Sequence, residues 1–327
     1  MAIAEQLKAL VKSYINGDDS QFFAVAMQVA AHEARLGHGK LAQELRSLID
    51  EAKAQKNLAP HIRKAIPITQ PKGELSALLS VSYPKLRLSD MVLESTVHER
   101  LTRLIKEQRQ ISKIRSFGLS PRKKLLLIGP PGTGKTMSAA VLAGELGLPL
   151  FVVRLDSLIT KYMGETAVKL RLVFESIKQV RGVYLFDEFD SIGSQRGLGN
   201  DVGEIRRVLN SFLQLIEQDD SDSLLLAATN HPDILDHALF RRFDDVIEFG
   251  LPREELILST LKAKLGIDKR LEVDWERLVK AAEGLSYADI TRACEDAMKD
   301  VIIHDRNEIK TTDVLKALSE RQMAQGK

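Results

Sequence analysis

Gly129-Pro130-Pro131-Gly132-Thr133-Gly134-Lys135-Thr136 sets glycines, a lysine and a hydroxyl at fixed spacing. An apolar run, 125–128, precedes them, and a helix-compatible stretch from Met137 to residue 146 follows. Glycines allow a backbone to wrap closely around a polyphosphate, since a Cβ would obstruct the turn. Successive N–H groups and a helix N-terminus then face the anion. Between a strand and a helix, this spacing is that of a phosphate-binding P-loop. Lys135 is placed to reach the β- and γ-phosphates, the Thr136 hydroxyl to bind Mg²⁺, and Met137 to open the helix beside the nucleotide.

A second chemical segment ends an apolar run, 183–186, in Asp187-Glu188. Ligands of a parallel sheet sit beyond the carboxyl ends of its strands. Asp187 is therefore placed to hold Mg²⁺, directly or through water, and Glu188 to orient an attacking water. A third segment, Ala227-Ala228-Thr229-Asn230, closes another apolar run. Asn230 there suits either an Asx-type turn or contact with a γ-phosphate through its amide. A fourth carries the adjacent Arg241 and Arg242 just before a further apolar run. These are either surface charge or arginine fingers that neutralise a transferring phosphoryl group.

The elements that must position these residues alternate. Apolar strand-like runs occur at 125–128, 150–153, 183–186, 224–228 and 246–249, most of them separated by helical stretches such as 166–179. That pattern predicts a parallel sheet covered on both faces. Beyond 251–252 the strand signals stop, and helices are expected at 254–264, 274–282, 287–303 and 312–319, with Ser286 capping the third through Asp289. Ahead of the sheet, helices are expected at 2–15, 20–36 and 40–53, from apolar positions such as Phe22, Val25 and Val29 at helical spacing. Pro60, Pro67, Pro71 and Pro84 mark a linker. The predicted organisation is an all-α domain at 1–57, a linker at 58–85, an α/β nucleotide-binding core at 86–252 and a helical lid at 253–327.

Composition bounds the rest. A chain of 327 residues, 44% hydrophobic and 28% charged, reads as soluble and globular. A formal charge of +2 and the lack of a recognisable DNA-binding module argue against a nucleic-acid motor. The single cysteine, Cys294, excludes an intrachain disulfide and a Cys-cluster zinc site. No apolar stretch approaches the roughly 20 residues that span a bilayer. The N-terminal residues lack a basic-then-apolar signal pattern, so the cytoplasm is the expected compartment. Neither H-E-x-x-H nor G-x-S-x-G occurs, so no protease activity is expected of this chain.

The four motifs, in this order over 86–319, resemble the AAA ATPase module, a P-loop NTPase α/β core with a helical lid. The stretch from Thr229 through Asp236 to Asp244 is similar to that family's second region of homology. The resemblance implies ATP and Mg²⁺ as ligands and Asn230 as a polar sensor. It also implies that Arg241 and Arg242 act on the nucleotide of a neighbouring subunit in a homo-oligomeric ring, usually a hexamer. Many members separate the two arginines by Pro-Gly; here they adjoin, as in the katanin and spastin group. Ser286-Tyr287-Ala288-Asp289 resembles the family's Ser-Gly-Ala-Asp, with tyrosine in place of glycine, and Asp90-Met91-Val92 stands where members contact adenine.

Lys161-Tyr162-Met163-Gly164 lies where AAA translocases carry a pore loop that grips an extended polypeptide, and 196–201 is a candidate second loop. Alone, Tyr162 and Met163 would equally cover a core. The expected function is an ATP-hydrolysing remodeller that threads a protein substrate through a central pore. The alternatives are an ATP-dependent adaptor of a partner and, with less support, a nucleic-acid motor. A helical N-terminus joined to one short module also resembles bacterial AAA proteins encoded beside subtilisin-like proteases, which makes a separate protease a candidate partner.

Overall fold

The computed structural model describes residues 8, 19–58, 71, 73–158, 165–190, 202–234, 237–266, 271–306, 308–324 and 326. The chain divides into two compact units, Met1–Ile66 and Pro67–Lys327.

In the first unit, α1 (Asp19–Arg35) and α2 (Gly39–Leu58) pack as a hairpin. Ala30, Ala42 and Ile49 are buried between them. The helix expected at 2–15 lies outside the described residues.

The second unit is built on a six-stranded sheet with the order β1-β3-β4-β5-β2-β6. Its strands are β1 (Leu79–Ser82), β2 (Lys124–Ile128), β3 (Leu150–Val153), β4 (Val183–Phe186), β5 (Leu224–Thr229) and β6 (Asp245–Glu248). β2 to β6 run parallel. β1 pairs antiparallel with β3 at one edge, so the sheet is mixed rather than wholly parallel. β1 lies within the stretch read as linker, where four residues between prolines show no legible period. β6 starts one residue earlier than its apolar run, because Asp245 already pairs with Leu125, and ends one residue earlier, at Glu248 opposite Ile128.

Alternate strand residues enter two cores. Leu126, Tyr184, Phe186, Leu225 and Ala227 face one side, against α5 (Glu165–Gln179) through Leu170, Val173 and Phe174, and against α6 (Val202–Gln218) through Phe212 and Ile216. Leu125, Leu127, Val183, Leu185 and Leu226 face the other, against α3 (Ser95–Arg109) through Leu101 and Leu104, and against α4 (Lys135–Leu146) through Ala139 and Leu142. Burial on both faces is why these strands are continuously apolar in sequence.

The lid comprises α7 (Glu254–Leu265), α8 (Trp275–Ala282), α9 (Tyr287–Ile303) and α10 (Thr311–Ala324), packed around Leu261, Leu278, Ile290 and Leu318. Contrary to the expectation that strands end at 252, β7 (Leu271–Glu272) and β8 (Ile309–Lys310) pair parallel within the lid. Two-residue ladders carry no periodicity that a sequence could display. Cys294 is fully buried in the lid core, and burial pushes its thiol up to about 12.

Candidate functional site

Parallel pairing brings the carboxyl ends of β2, β4 and β5 to one edge of the sheet. The P-loop leaves β2 after Ile128, Asp187 and Glu188 follow β4, and Asn230 follows β5. A cleft of about 700 Å³ opens there. Pro131, Gly132, Thr133, Gly134, Lys135, Thr136 and Met137 line it, together with Asp187, Glu188 and Asn230.

The glycines are required by space. Gly129 has φ 142°, and a Cβ on it would stand 2.0 Å from the Phe249 carbonyl oxygen. Gly132 has φ 76°, and a Cβ there would meet Ser286 Oγ at 2.4 Å. Gly129 and Pro130 do not line the cleft; their carbonyls each accept from Lys135 Nζ at 2.7 Å. Burial lowers the Lys135 pKa, against the opposing effect of the Asp187 and Asp190 carboxylates. Thr133 Oγ1 donates to the Pro130 carbonyl at 2.8 Å, which closes the loop on itself.

Thr136 Oγ1 donates to Asp187 Oδ2 at 2.7 Å. A hydroxyl oxygen and a carboxylate meeting at the helix N-terminus are a hard-cation donor set. Magnesium is commonly held by one or two carboxylates plus substrate phosphates and water. Among the described residues no three His, Cys, Asp or Glu side chains group as a metal cage, and such a partial set calls for none. Glu188 follows in the left-handed region at φ 50°, exposed, its N–H donating to Asp187 Oδ1 at 3.0 Å. That conformation costs about 1–3 kcal/mol in a non-glycine residue and is concentrated at functional sites.

Asp190 escaped the sequence reading. Its Oδ1 accepts from Thr229 Oγ1 at 3.0 Å and from the Asn230 N–H at 3.2 Å, which ties the loop after β4 to the end of β5. The fully buried Phe189 anchors that loop, and its N–H donates to the Ala228 carbonyl. A third carboxylate two residues beyond Glu188 was the available signal.

The other walls come from Ser89, Asp90, Met91 and Val92 and from the lid. Thr260, Ala263 and Lys264 of α7 and Tyr287, Ala288 and Thr291 of α9 line the cleft. Ser286 caps α9 by accepting from the Asp289 N–H at 3.2 Å, and its own hydroxyl donates to the Asp289 carboxylate at 2.5 Å. Tyr287 is half-buried, and its phenol pKa is raised by burial and by Glu94.

Arg241 and Arg242 do not join this cleft. They occupy the turn before β6, which runs parallel to β2 with Asp245 opposite Leu125. The turn therefore lies beside the start of β2, while the P-loop leaves its end. A four-residue strand spans about 13 Å. Arg242 is ion-paired with Glu217. The residues 161–164 and 196–201 lie outside the described residues.

The family described as "ATPase family associated with various cellular activities (AAA)" matches residues 125–251. An uncharacterized AAA family ATPase of Sinorhizobium fredii, y4kL, is 38% identical over 323 residues, which cover 98% of this chain and 96% of that protein. The 26S proteasome regulatory subunit 10B homolog A of Arabidopsis thaliana is 36% identical over 219 residues, 64% of this chain. Those residues cover 54% of the plant protein, so the chain spans about half its length. Among solved structures, the AAA domain of FIGL-1 is similar in fold, with a TM-score of 0.61 at 24% identity over 79% of this chain and 92% of that one.

Proposed function

Because the chain belongs to the AAA family of ATPases and hydrolyses ATP, we propose that it does so at a site shared between two copies and uses the energy to remodel proteins. One copy supplies the cleft. Backbone N–H groups of 132–136 and the Lys135 ammonium take the triphosphate, and the glycine cradle leaves the room it needs. Thr136 and Asp187 would hold Mg²⁺, which would supply positive charge against that of the triphosphate. Glu188 orients the water, and Asn230, tethered through Asp190, holds it or the γ-phosphate in line. The neighbouring copy supplies the arginine pair.

The carrying observation is the β2–β6 register. It sets Arg241 and Arg242 beside the opposite strand end from their own P-loop, beyond the reach of a guanidinium to that cleft. Mixing tests it. The Glu188→Gln chain and the Arg241→Ala/Arg242→Ala chain should each be inactive alone. Together they should recover a fraction of turnover, because the intact cleft of one meets the intact arginines of the other. A mixture as inactive as its components would refute the shared site. Electron microscopy of Glu188→Gln with ATP should show closed rings, for which a hexamer is the expected count.

The work done is threading of a polypeptide past Lys161, Tyr162, Met163 and Gly164. An aromatic ring and a thioether pack against backbone and most side chains without reading them. Tyr162→Ala should keep ATP turnover and lose remodelling. The helical unit at 1–57 recruits the substrate or a separate protease, and a linker joins it to a core that already includes β1 (Leu79–Ser82) and runs to 252, followed by the lid at 253–327. A pull-down with Glu188→Gln and ATP separates the two recruits. No described helix is long and apolar enough to cross a membrane.

A further inference from the structure

Arg241 and Arg242 are neighbours with different surroundings. Arg242 Nη1 is ion-paired with Glu217 Oε1 on the last turn of α6. Among the described residues Arg241 has no ion-pair partner in its own chain, and it is exposed. Both ends of the Arg242–Glu217 pair rest on anchored backbone. Glu217 follows Ile216, which with Phe212 is 0% exposed. The Arg242 N–H donates to the Leu239 carbonyl at 3.0 Å, and Leu239 and Phe243 are buried on either side of the turn. Asp244 closes the turn by accepting from the N–H groups of Lys123 and Lys124 at 2.8 and 2.9 Å.

With side chains 39% and 57% exposed, such a pair adds little stability. Its consequence is direction. A guanidinium whose Nη1 faces a carboxylate has a set orientation, and part of its charge is already answered. Its neighbour keeps its full charge and its freedom to extend.

Resting on the shared-site reading above, we infer that the two arginines divide the work. Arg241 reaches the phosphates of the neighbouring copy. Arg242, held by Glu217, is a positioning residue that fixes the turn from which Arg241 extends, and Glu217 is its partner in that role.

The test uses the full chain, with kcat and KM for ATP measured separately and assembly followed by sedimentation with nucleotide. Arg241→Ala should lower kcat by about 10³-fold or more with little change in KM. Arg242→Ala and Glu217→Gln should each lower kcat by a smaller and mutually similar factor, about ten- to hundredfold, as for a misplaced catalytic group. The double variant should lose no more than either alone. The exchange Glu217→Arg/Arg242→Glu should restore most of kcat, while the urea midpoints of the single variants stay at the parent value, which a role in general stability would not predict. Arg242→Ala as damaging as Arg241→Ala, with Glu217→Gln silent and the exchange inactive, would put Arg242 on the phosphate. That outcome overturns the division while leaving the shared site standing. Full turnover by Arg241→Ala would likewise overturn the division, and only full turnover by the Arg241→Ala/Arg242→Ala chain would bring down the shared site as well.

Discussion

The backbone N–H of Ala288, in the first turn of α9, donates to the carbonyl of Gly132 in the P-loop at 3.1 Å. The lid is thus bonded directly to the loop that faces the phosphates, and Ser286 Oγ occupies the space a Cβ on Gly132 would need. Gly132→Ala meets both that crowding and a left-handed backbone, which alone costs a non-glycine residue about 1–3 kcal/mol. Nucleotide affinity, measured by fluorescence titration, should weaken about tenfold or more, about 1.4 kcal/mol per factor of ten. Adding Ser286→Ala should return part of the crowding, since the Cβ atoms of residues 286 and 288 would still stand 3.0 and 3.1 Å away, and leave the backbone part. Unchanged affinity in the single variant would show that the loop and the lid yield freely.

The Thr136–Asp187 hydrogen bond makes a separate prediction. If both oxygens serve one Mg²⁺, Asp187→Asn should keep nucleotide affinity in chelator and lose the gain that Mg²⁺ gives the unaltered protein. Thr136→Ala should act in the same direction. The double variant should lose less than the sum, since residues sharing a ligand are not additive. Isothermal titration with and without Mg²⁺ decides this; an undiminished metal gain in Asp187→Asn would remove the carboxylate from the metal site.

Glu188 stands at the cleft with a strained backbone and no role in the core. Replacing the carboxylate with an amide keeps its size and removes its capacity to accept a proton. Glu188→Gln should lower turnover by about 10²–10⁴-fold, the usual worth of a positioned general base, while ATP affinity stays within a few-fold. Turnover equal to the parent protein would assign the water to another group.

How far the chain could be read in advance depended on how its signals are carried. The core strands were legible because each is buried on both faces and is therefore an unbroken apolar run; Val183 to Phe186 is wholly buried. β1 is half-buried and lies among prolines, and its identity as a strand comes from pairing with β3, about seventy residues away. The P-loop and Asp187-Glu188 were legible because their spacing is local. Asp190 was not, because Thr229 and Asn230, which it holds, are 39 and 40 residues distant. Thr260, Lys264 and Thr291 reach the cleft only because packing in the lid decides which helix faces turn inward.

Stability at alkaline pH should report two buried protons. Burial raises the Cys294 thiol to about 12 from an ordinary 9.0, and the Tyr184 phenol to about 12 from 10.0. Tyr184 is stacked on Phe151 at 4.6 Å, and its hydroxyl lies 2.9 Å from the Val180 carbonyl. Both folded-state values exceed the unfolded ones. The unfolded chain therefore releases each proton first, and the stability these groups contribute is complete below about pH 9 and lost as pH rises toward 12. Each can contribute a slope of at most about 1.4 kcal/mol per pH unit, with Cys294 acting from about pH 9 and Tyr184 from about pH 10. Lys124 and Lys135, whose values burial lowers, act in the opposite direction, so the comparison must be between proteins. Urea unfolding of Cys294→Ala should lose the decline between pH 9 and 10 that the parent shows. Tyr184→Phe keeps the ring against Phe151 and should lose only the steepening above pH 10. Parallel pH profiles for parent and variants would mean that neither proton is retained by folding.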